Sequence, residues 1–174
     1  MRKKSPRIKG GAKRVAKVVE ILEIKKICEK LREENKIIVF TNGCFDILHP
    51  GHIEVLEKAK SFGDVLIGGL NTDKSIKEFK GPVRPIFNQS DRARVLSAIS
   101  YVDYIVMFDE PTPYKLIEIV KPDILVKGGD YTPDKVVGRE IVGKVVIVPL
   151  LPGYSTTEVI DRIMRLVGNR LKYG

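Results

Sequence analysis

Residues 36–52, KIIVFTNGCFDILHPGH, constrain the fold more than any other stretch of this chain. Residues 37–40 form a continuous apolar run, which is typical of a parallel strand buried on both faces. Asn42-Gly43 predicts a tight turn after that strand, and Pro50 suits the first turn of a helix. A strand leading through a turn into a helix is the unit of an open α/β sheet, where ligands bind beyond the carboxyl ends of the strands. The helix N-terminus there favours a phosphate.

The two histidines of the sequence, His49 and His52, both fall at this helix start. Because they lie three residues apart at the turn, both rings can face one oxyanion, which favours a role in phosphate chemistry. A zinc pair and a structural histidine turn are the alternatives. Zinc requires at least a third protein ligand, and Cys44 is the only candidate nearby in the sequence.

Apolar and polar segments alternate along the rest of the chain. An apolar stripe at helical spacing predicts a helix over residues 15–34, with Cys28 on its core-facing side. Further strands are predicted at residues 64–70, 104–108, 123–126 and 145–148, with helices between them. This alternation predicts an α/β fold with a doubly wound parallel sheet of five strands.

Composition and charge narrow the class of protein. The net charge is +9, but seven of the positive charges lie in residues 1–14, which contain no acid and are predicted to form a basic flexible tail. Aromatic residues do not alternate with these cations, so nucleic-acid binding is not expected. No apolar run reaches the roughly 18 residues that span a bilayer, and no signal peptide follows the basic start. With two cysteines in dissimilar settings, the expected compartment is the cytoplasm.

Three further segments carry groups suited to phosphate binding. The loop of residues 80–85, KGPVRP, combines two cations with residues that restrict or loosen the backbone, although an ordinary solvated turn would look similar. The segment of residues 127–131, KGGDY, follows a predicted strand, and its glycines permit close backbone approach to a ligand. Residues 155–158, STTE, form a capping box at a helix start. This pattern fits an ordinary helix cap and a phosphate-binding site equally well.

These motifs together resemble a known enzyme family. HPGH resembles the HxGH signature of the nucleotidylyltransferase superfamily, and TNGCFDILHPGH looks like its cytidylyltransferase-like group. KGPVRP, KGGDY and PGYSTT are similar to segments of the bacterial D-glycero-D-manno-heptose 1-phosphate adenylyltransferases. The resemblance covers residues 24–166. With the charge and apolar patterns above, it predicts a basic flexible tail at 1–14, an N-terminal helix at 15–35 and a nucleotidylyltransferase domain at 36–174.

The resemblance implies a Rossmann-like sheet with strand order 3-2-1-4-5, counting the predicted strands along the chain. It implies transfer of AMP from ATP to D-glycero-D-manno-heptose 1-phosphate, giving ADP-heptose for lipopolysaccharide core synthesis and pyrophosphate. Mg²⁺ would accompany ATP, a separate heptose kinase would act upstream, and a homo-oligomer, a dimer, is expected. No membrane partner is expected.

The resemblance also implies roles for individual residues. Catalytic roles fall to His49, His52 and Lys80. Nucleotide binding falls to the strand end, the helix starts and KGGDY, namely Thr41, Asn42, Gly43, Cys44, Phe45, Gly51, Lys127, Gly128, Ser155, Thr156 and Thr157. Substrate binding falls to Asp46, Arg92, Asp130 and Tyr131, and no residue is assigned directly to a metal. Whether Asp46 and Asp130 meet sugar hydroxyls, ribose or magnesium stays open.

Other functions share some of these motifs. A cytidylyltransferase for glycerol 3-phosphate or another small phosphate, or an FMN adenylyltransferase, would also carry GCFD and HxGH. A nucleotide-binding or nucleic-acid-binding module without turnover is the alternative from outside the enzymes. Related cytidylyltransferases carry an arginine shortly before the Ser-Thr pair. Its absence in LLPGYSTT leaves Lys80 and Arg92 to supply more of the charge.

Overall fold

The computed structural model describes residues 15–173, so the predicted tail at residues 1–14 lies outside the described part of the chain. The strands are β1 Lys17–Val18, β2 Ile38–Gly43, β3 Val65–Asn71, β4 Tyr104–Phe108, β5 Ile124–Gly128 and β6 Lys144–Val148. The helices are α1 Ile21–Glu33, α2 Pro50–Ser61, α3 Asp73–Lys80, α4 Gln89–Ser97, α5 Tyr114–Val120 and α6 Thr156–Tyr173. Two short 3-10 helices, Pro133–Lys135 and Arg139–Ile141, lie between β5 and β6.

All strand pairs are parallel, and the sheet order is β1-β4-β3-β2-β5-β6. Without β1, this is the predicted order 3-2-1-4-5, so the Rossmann-like doubly wound sheet is confirmed. The prediction of five strands was wrong by one edge strand.

The extra strand also corrects the predicted helix over residues 15–34. Lys17 and Val18 pair with Tyr104 and Ile105 of β4, and the flanking Ala16 and Val19 are buried. The helix therefore begins only at Ile21. The β-branched valines of this segment favour extended backbone, and pairing with β4 holds the segment as a strand.

The sheet separates two apolar layers. One layer packs α1 and α5 against the sheet, with Phe40 of β2 and Cys28 of α1 fully buried. The other packs α2 and α4, with Val39 of β2 and Leu56 of α2 in its centre. Adjacent residues of β2 point into opposite layers, which explains why its sequence is apolar without alternation. The predicted core position of Cys28 is confirmed, and burial raises the pKa of its thiol to about 11.

The parallel arrangement places the carboxyl ends of β2, β3 and β5 at one edge of the sheet, where their following turns meet. This edge lies at the reversal of strand order between β2 and β5, which is the ligand position in open α/β sheets. Across residues 15–173, no helix has both the length and the apolar character needed to cross a membrane.

Candidate active site

A cleft of about 490 Å³ lies at the carboxyl ends of these strands. Its walls come from the end of β2, the start of α2, the end of α3, the end of β5 and the residues before α6. Most of the residues predicted for the site line it, namely Thr41, Asn42, Gly43, Cys44, Phe45, Asp46, His49, Gly51, His52, Lys80, Lys127, Gly128, Tyr131, Ser155 and Thr156. Three predicted residues, Arg92, Asp130 and Thr157, are not among the lining residues.

The two histidines meet at the N-terminus of α2. The backbone N–H of His49 donates to Nδ1 of His52 at 3.3 Å, and the two ring centroids lie 3.9 Å apart. Burial, with smaller contributions from His49 and Lys80, lowers the pKa of His52 to about 4. Burial also lowers the pKa of His49, against the opposing effect of Glu158. Both imidazoles are therefore neutral near pH 7.

Because Nδ1 of His52 accepts a hydrogen bond, the proton of the neutral ring lies on Nε2. The ring thus presents one N–H donor whose direction the backbone of His49 fixes. Gly51 explains why the motif requires a glycine between the histidines. A Cβ there would lie 3.0 Å from the Tyr154 carbonyl oxygen and 3.1 Å from the His49 ring.

Lysines bring positive charge to the cleft from two other elements. Lys127, near the end of β5, donates from Nζ to Oδ1 of Asn42 at 3.1 Å, and its Nζ lies 5.6 Å from the ring centroid of Tyr131. Burial lowers the pKa of Lys127, partly offset by Cys44. Lys80 is the last residue of α3 and reaches the cleft from the opposite side. A negatively charged ligand would therefore lie between cations.

Ser155 and Thr156 bring the start of α6 to the cleft. Oγ of Ser155 accepts from the backbone N–H of Glu158 at 3.1 Å, so this serine caps the helix. Oγ1 of Thr156 donates to the backbone oxygen of Asp46 at 3.1 Å. Thr157 is exposed. The plain-cap interpretation thus describes Ser155, and the same geometry leaves the helix N-terminus facing the cleft.

Two residues predicted to bind substrate have protein partners instead. Asp46 is 1% exposed, and its carboxylate accepts from Nη2 of Arg84 at 2.8 Å and from the backbone N–H groups of Ile86 and Phe87 at 2.8 and 3.0 Å. Arg92 is also 1% exposed and donates to the carbonyl oxygens of Phe87 and Cys44 and to Asp73. The structure therefore places Arg92 beneath the cleft, not in its lining. Asp130 is exposed.

Several lining residues were missed by sequence reasoning. They include Asn71, Phe79, Thr112, Lys135, Val137, Leu150 and Tyr154. Asn71 could have been found, because it directly follows the predicted strand at residues 64–70, whose carboxyl end lies at the same sheet edge as that of β2. Lys135 lies in a 3-10 helix that shows no periodic pattern in the sequence. Within residues 15–173, no three His, Cys, Asp or Glu side chains lie close enough to hold a metal ion.

Comparison with known proteins agrees with this geometry. Residues 40–162 match the model of the cytidylyltransferase-like family. The bifunctional protein HldE of Geobacter metallireducens is 50% identical over 157 residues, which cover 88% of this chain and 32% of that protein. The HldE protein of Aliarcobacter butzleri is 55% identical over 141 residues, covering 81% of this chain and 30% of that protein. The chain thus spans about a third of the length of these curated relatives.

Solved structures lead to the same fold. A lipopolysaccharide core biosynthesis protein from Thermoplasma volcanium aligns with 32% identity and a TM-score of 0.58, over 67% of this chain and 98% of that one. A pantoate-beta-alanine ligase from Francisella tularensis aligns over 79% of this chain and 69% of that one, with 20% identity and a TM-score of 0.60, and supports the fold alone. The resemblance first read from HPGH is confirmed, and the chain belongs to the cytidylyltransferase-like family.

Proposed function

We propose that this chain is an adenylyltransferase that transfers AMP from ATP to D-glycero-D-manno-heptose 1-phosphate, giving ADP-heptose and pyrophosphate. The family match and the HldE relatives, which share 50% and 55% sequence identity with this chain, support a nucleotidyltransferase of this class. The similar Thermoplasma volcanium protein is described as acting in lipopolysaccharide core biosynthesis. ADP-heptose would serve as a precursor of that core.

One observation carries the proposal. A single cleft contains two neutral histidines, cations from Lys80 and Lys127, and the N-termini of α2 and α6. This combination suits a triphosphate, because cations and helix N-termini bind phosphate oxygens while N–H donors can meet charge that develops on the α-phosphate.

The reaction needs no covalent enzyme intermediate. An oxygen of the sugar phosphate attacks the α-phosphorus of ATP, and the bond from that phosphorus to the bridging oxygen of the β-phosphate breaks. Pyrophosphate leaves with the electron pair of that bond. The protein contributes positioning and charge stabilisation, which are the main terms in phosphoryl and nucleotidyl transfer.

The residues divide this work among them. His52 Nε2–H and the His49 ring would donate to the α-phosphate, while Lys80 and Lys127 would hold the phosphates. Ser155, Thr156 and Thr157 at the start of α6 would lie toward the β- and γ-phosphates. The strand-end residues Thr41 to Phe45, with Gly51 and Gly128, would line the nucleotide. Tyr131 and Asp130 would meet the sugar or the ribose.

Magnesium fits this cleft only as a companion of the triphosphate. Asp46 is the one carboxylate among the described lining residues, and three donors from residues 84–87 already occupy both of its oxygens. The donor set is otherwise cationic or neutral, which does not suit direct coordination of a hard cation. Mg²⁺ would neutralise phosphate charge when it arrives with ATP.

Partners follow from the chemistry of the substrate. A sugar 1-phosphate must come from a kinase or an equivalent phosphate-transfer step, here a heptose kinase activity that acts before this one. Because ATP and sugar phosphates are metabolites of the cytoplasm, the reaction would run there. A homodimer remains part of the proposal on the family resemblance.

The test is pyrophosphate release from ATP or CTP with a panel of acceptors. The panel contains both anomers of heptose 1-phosphate, glycerol 3-phosphate and FMN, and a His52→Ala variant serves as the blank. We expect kcat/KM for ATP to exceed that for CTP by about tenfold or more, because polar groups left unpaired by the wrong base cost about 1 to 3 kcal/mol each. Heptose 1-phosphate should exceed glycerol 3-phosphate by a larger factor, because lost sugar contacts remove positioning energy.

The second candidate is a cytidylyltransferase for a small phosphate such as glycerol 3-phosphate, favoured by the family description itself. Release of pyrophosphate from CTP with glycerol 3-phosphate, and none from ATP with either heptose anomer, would replace the proposed substrates by this pair. No release with any combination would favour a binding module without turnover.

A further inference from the structure

The turn of residues 44–47 is held in an unusual backbone conformation at the floor of the cleft. Phe45 and Ile47, on either side of Asp46, have φ values of +47° and +50°. Left-handed backbone is unfavourable for residues other than glycine, and most of all for a β-branched one. Such a conformation persists only where surrounding contacts hold it in place.

The carboxylate of Asp46 supplies one set of these contacts. It accepts two backbone N–H groups and one guanidinium nitrogen from residues 84–87, all at 2.8 to 3.0 Å. Its backbone oxygen accepts from Thr156 at the start of α6. One residue therefore joins the histidine turn to the loop after Lys80 and to the helix start on the far wall of the cleft.

Arg92 supplies the second set. Its guanidinium donates to the Cys44 carbonyl at 2.6 Å and its Nε to the Phe87 carbonyl at 3.0 Å, so it joins the same two segments as Asp46. Nη2 also donates to Asp73, the first residue of α3, at 2.7 Å. The helix that carries Lys80 at its last residue is thus tied at its start by Arg92, and the loop after it is tied by Asp46.

We propose that Asp46 is a positioning residue that, with Arg92 and Arg84, fastens α3 and residues 84–87 to the turn of residues 44–47. Because this turn leads into His49 and the start of α2, Lys80 and the two histidines then share one fixed frame. Asp46 then acts without touching either substrate. The kinetic part of this inference rests on the proposed nucleotidyl transfer, whereas the structural part does not.

The first measurement needs no turnover. In the Asp46→Asn variant, an amide nitrogen replaces one acceptor oxygen and faces the donors of residues 84–87. We expect hydrogen exchange of the Ile86 and Phe87 amides to rise by about tenfold or more, with β3 unchanged. Glu34→Gln, which alters the exposed pair of Glu34 and Lys30 at the C-terminus of α1, is the matched control and should change neither. Unchanged exchange at residues 84–87 in the folded Asp46→Asn protein would overturn the proposal.

The second measurement is kinetic and separates positioning from direct binding. Misplacement of Lys80 should lower kcat by about 10- to 100-fold in Asp46→Asn, while KM for ATP and the half-saturating Mg²⁺ concentration change by no more than about twofold. Arg84→Ala should lower kcat in the same way. The kcat of the double variant should be no lower than that of Asp46→Asn, because both substitutions disrupt the same contact between Arg84 and Asp46. A tenfold shift in Mg²⁺ dependence, or effects that multiply, would make Asp46 a direct ligand and overturn the proposal.

Further variants keep the test decisive. If Asp46→Asn does not fold, Arg84→Ala is compared with Arg84→Lys, which restores one donor, and only the alanine variant should show faster exchange at residues 84–87. Equal exchange in the two would overturn the proposal. If the wild-type protein releases no pyrophosphate with any substrate pair, the proposed function fails, and the exchange of Ile86 and Phe87 still decides the positioning role.

Discussion

The backbone N–H of His49 donates to Nδ1 of His52, so the first histidine of the motif sets the tautomer of the second. The rings lie 3.9 Å apart between their centroids, and both are neutral near pH 7 because burial lowers their pKa values. In the proposed reaction the pair would therefore act through oriented N–H donors and not through a standing positive charge. This feature distinguishes the histidine pair from Lys80 and Lys127, which bring positive charge to the cleft.

Substitution of His52 should separate donation from charge. His52→Ala is expected to lower kcat by about 10² to 10³, as for loss of one oxyanion donor, and His49→Ala should behave similarly. His52→Gln should lose less, about tenfold, because its amide can accept from His49 N–H and still donate from Nε2. Steady-state kinetics under saturating ATP measures these values. Stoichiometric zinc in the purified protein, with unfolding on chelation, would remove the catalytic assignment.

The same burial makes the stability of the protein depend on pH. The pKa of His52 is lowered from 6.5 to about 4, so between these values the unfolded chain binds more protons than the folded one. Stability therefore rises with pH across this window and is lost as pH falls from 6.5 towards 4. We expect the wild type to lose about 2 kcal/mol more than His52→Gln between pH 7.5 and pH 5. Urea unfolding at several pH values checks this, and parallel curves for the two proteins would contradict it.

Lys127 should matter for activity and not for stability. Lys127→Met removes the cation beside Asn42 and is expected to lower kcat/KM for ATP by about 10², while Lys127→Arg retains more activity. Because burial lowers the pKa of this lysine, the charged form is disfavoured in the folded state, and the methionine variant should be no less stable. Lys144→Met is the control, since Lys144 also lies over an aromatic ring, Phe62 at 5.9 Å, but outside the cleft. Equal losses in the two variants would argue against a site role.

Residues 1–14 are predicted to be dispensable for turnover, whereas the next five residues contribute to the stability of the fold. Deletion of 1–14 should leave kcat unchanged with small substrates. Deletion of 1–19 removes β1 and the bonds from Ala16 N–H to Ser97 and from Val19 N–H to Ile105. Together with the lost burial of Ala16 and Val19, this should cost about 2 to 4 kcal/mol of unfolding free energy.

A pair of point variants isolates the strand from the length of the chain. Val19 is 6% exposed and Val18 is 45% exposed. Val19→Ala should cost about 1.5 kcal/mol in urea unfolding, at roughly 0.8 kcal/mol for each buried carbon group removed, and Val18→Ala much less. A tenfold loss of turnover on deletion of 1–14 would instead assign those residues to the site, and salt-sensitive RNA binding that disappears on deletion would revive the binding-module alternative.

The sequence was sufficient to locate the five long strands, because each is an apolar run bounded by turn residues, and the family resemblance supplied their order in the sheet. The sequence was insufficient for β1. Two paired residues carry no periodic signal, and Val18 and Ile21 also fit the stripe of the following helix. Pairing with β4 makes this segment a strand and not the first turn of the helix. The position of β4 beside it is set by the tertiary fold.

For the cleft, the sequence predicted the motifs that follow strands but not the partners of the buried charged residues. Motifs that follow strands, such as His49 with His52 and Lys127 with Gly128, reach it because topology brings strand ends together. The sequence does not reveal the partners of a charged side chain. Arg92 matches a substrate-binding arginine by position, yet its donors meet Phe87, Cys44 and Asp73. Burial of an arginine on the apolar side of α4 is not visible before the loop against it is known.

Because Lys17 pairs with Tyr104 and Val18 with Ile105 in parallel, the described chain enters the fold where β4 begins, whereas the cleft opens where the strands finish. A tether attached before residue 15 would therefore orient the protein on a surface with the opening of the cleft facing away from that surface. Immobilisation through that end should leave nucleotide entry unobstructed, which suits this chain to binding measurements on a sensor surface.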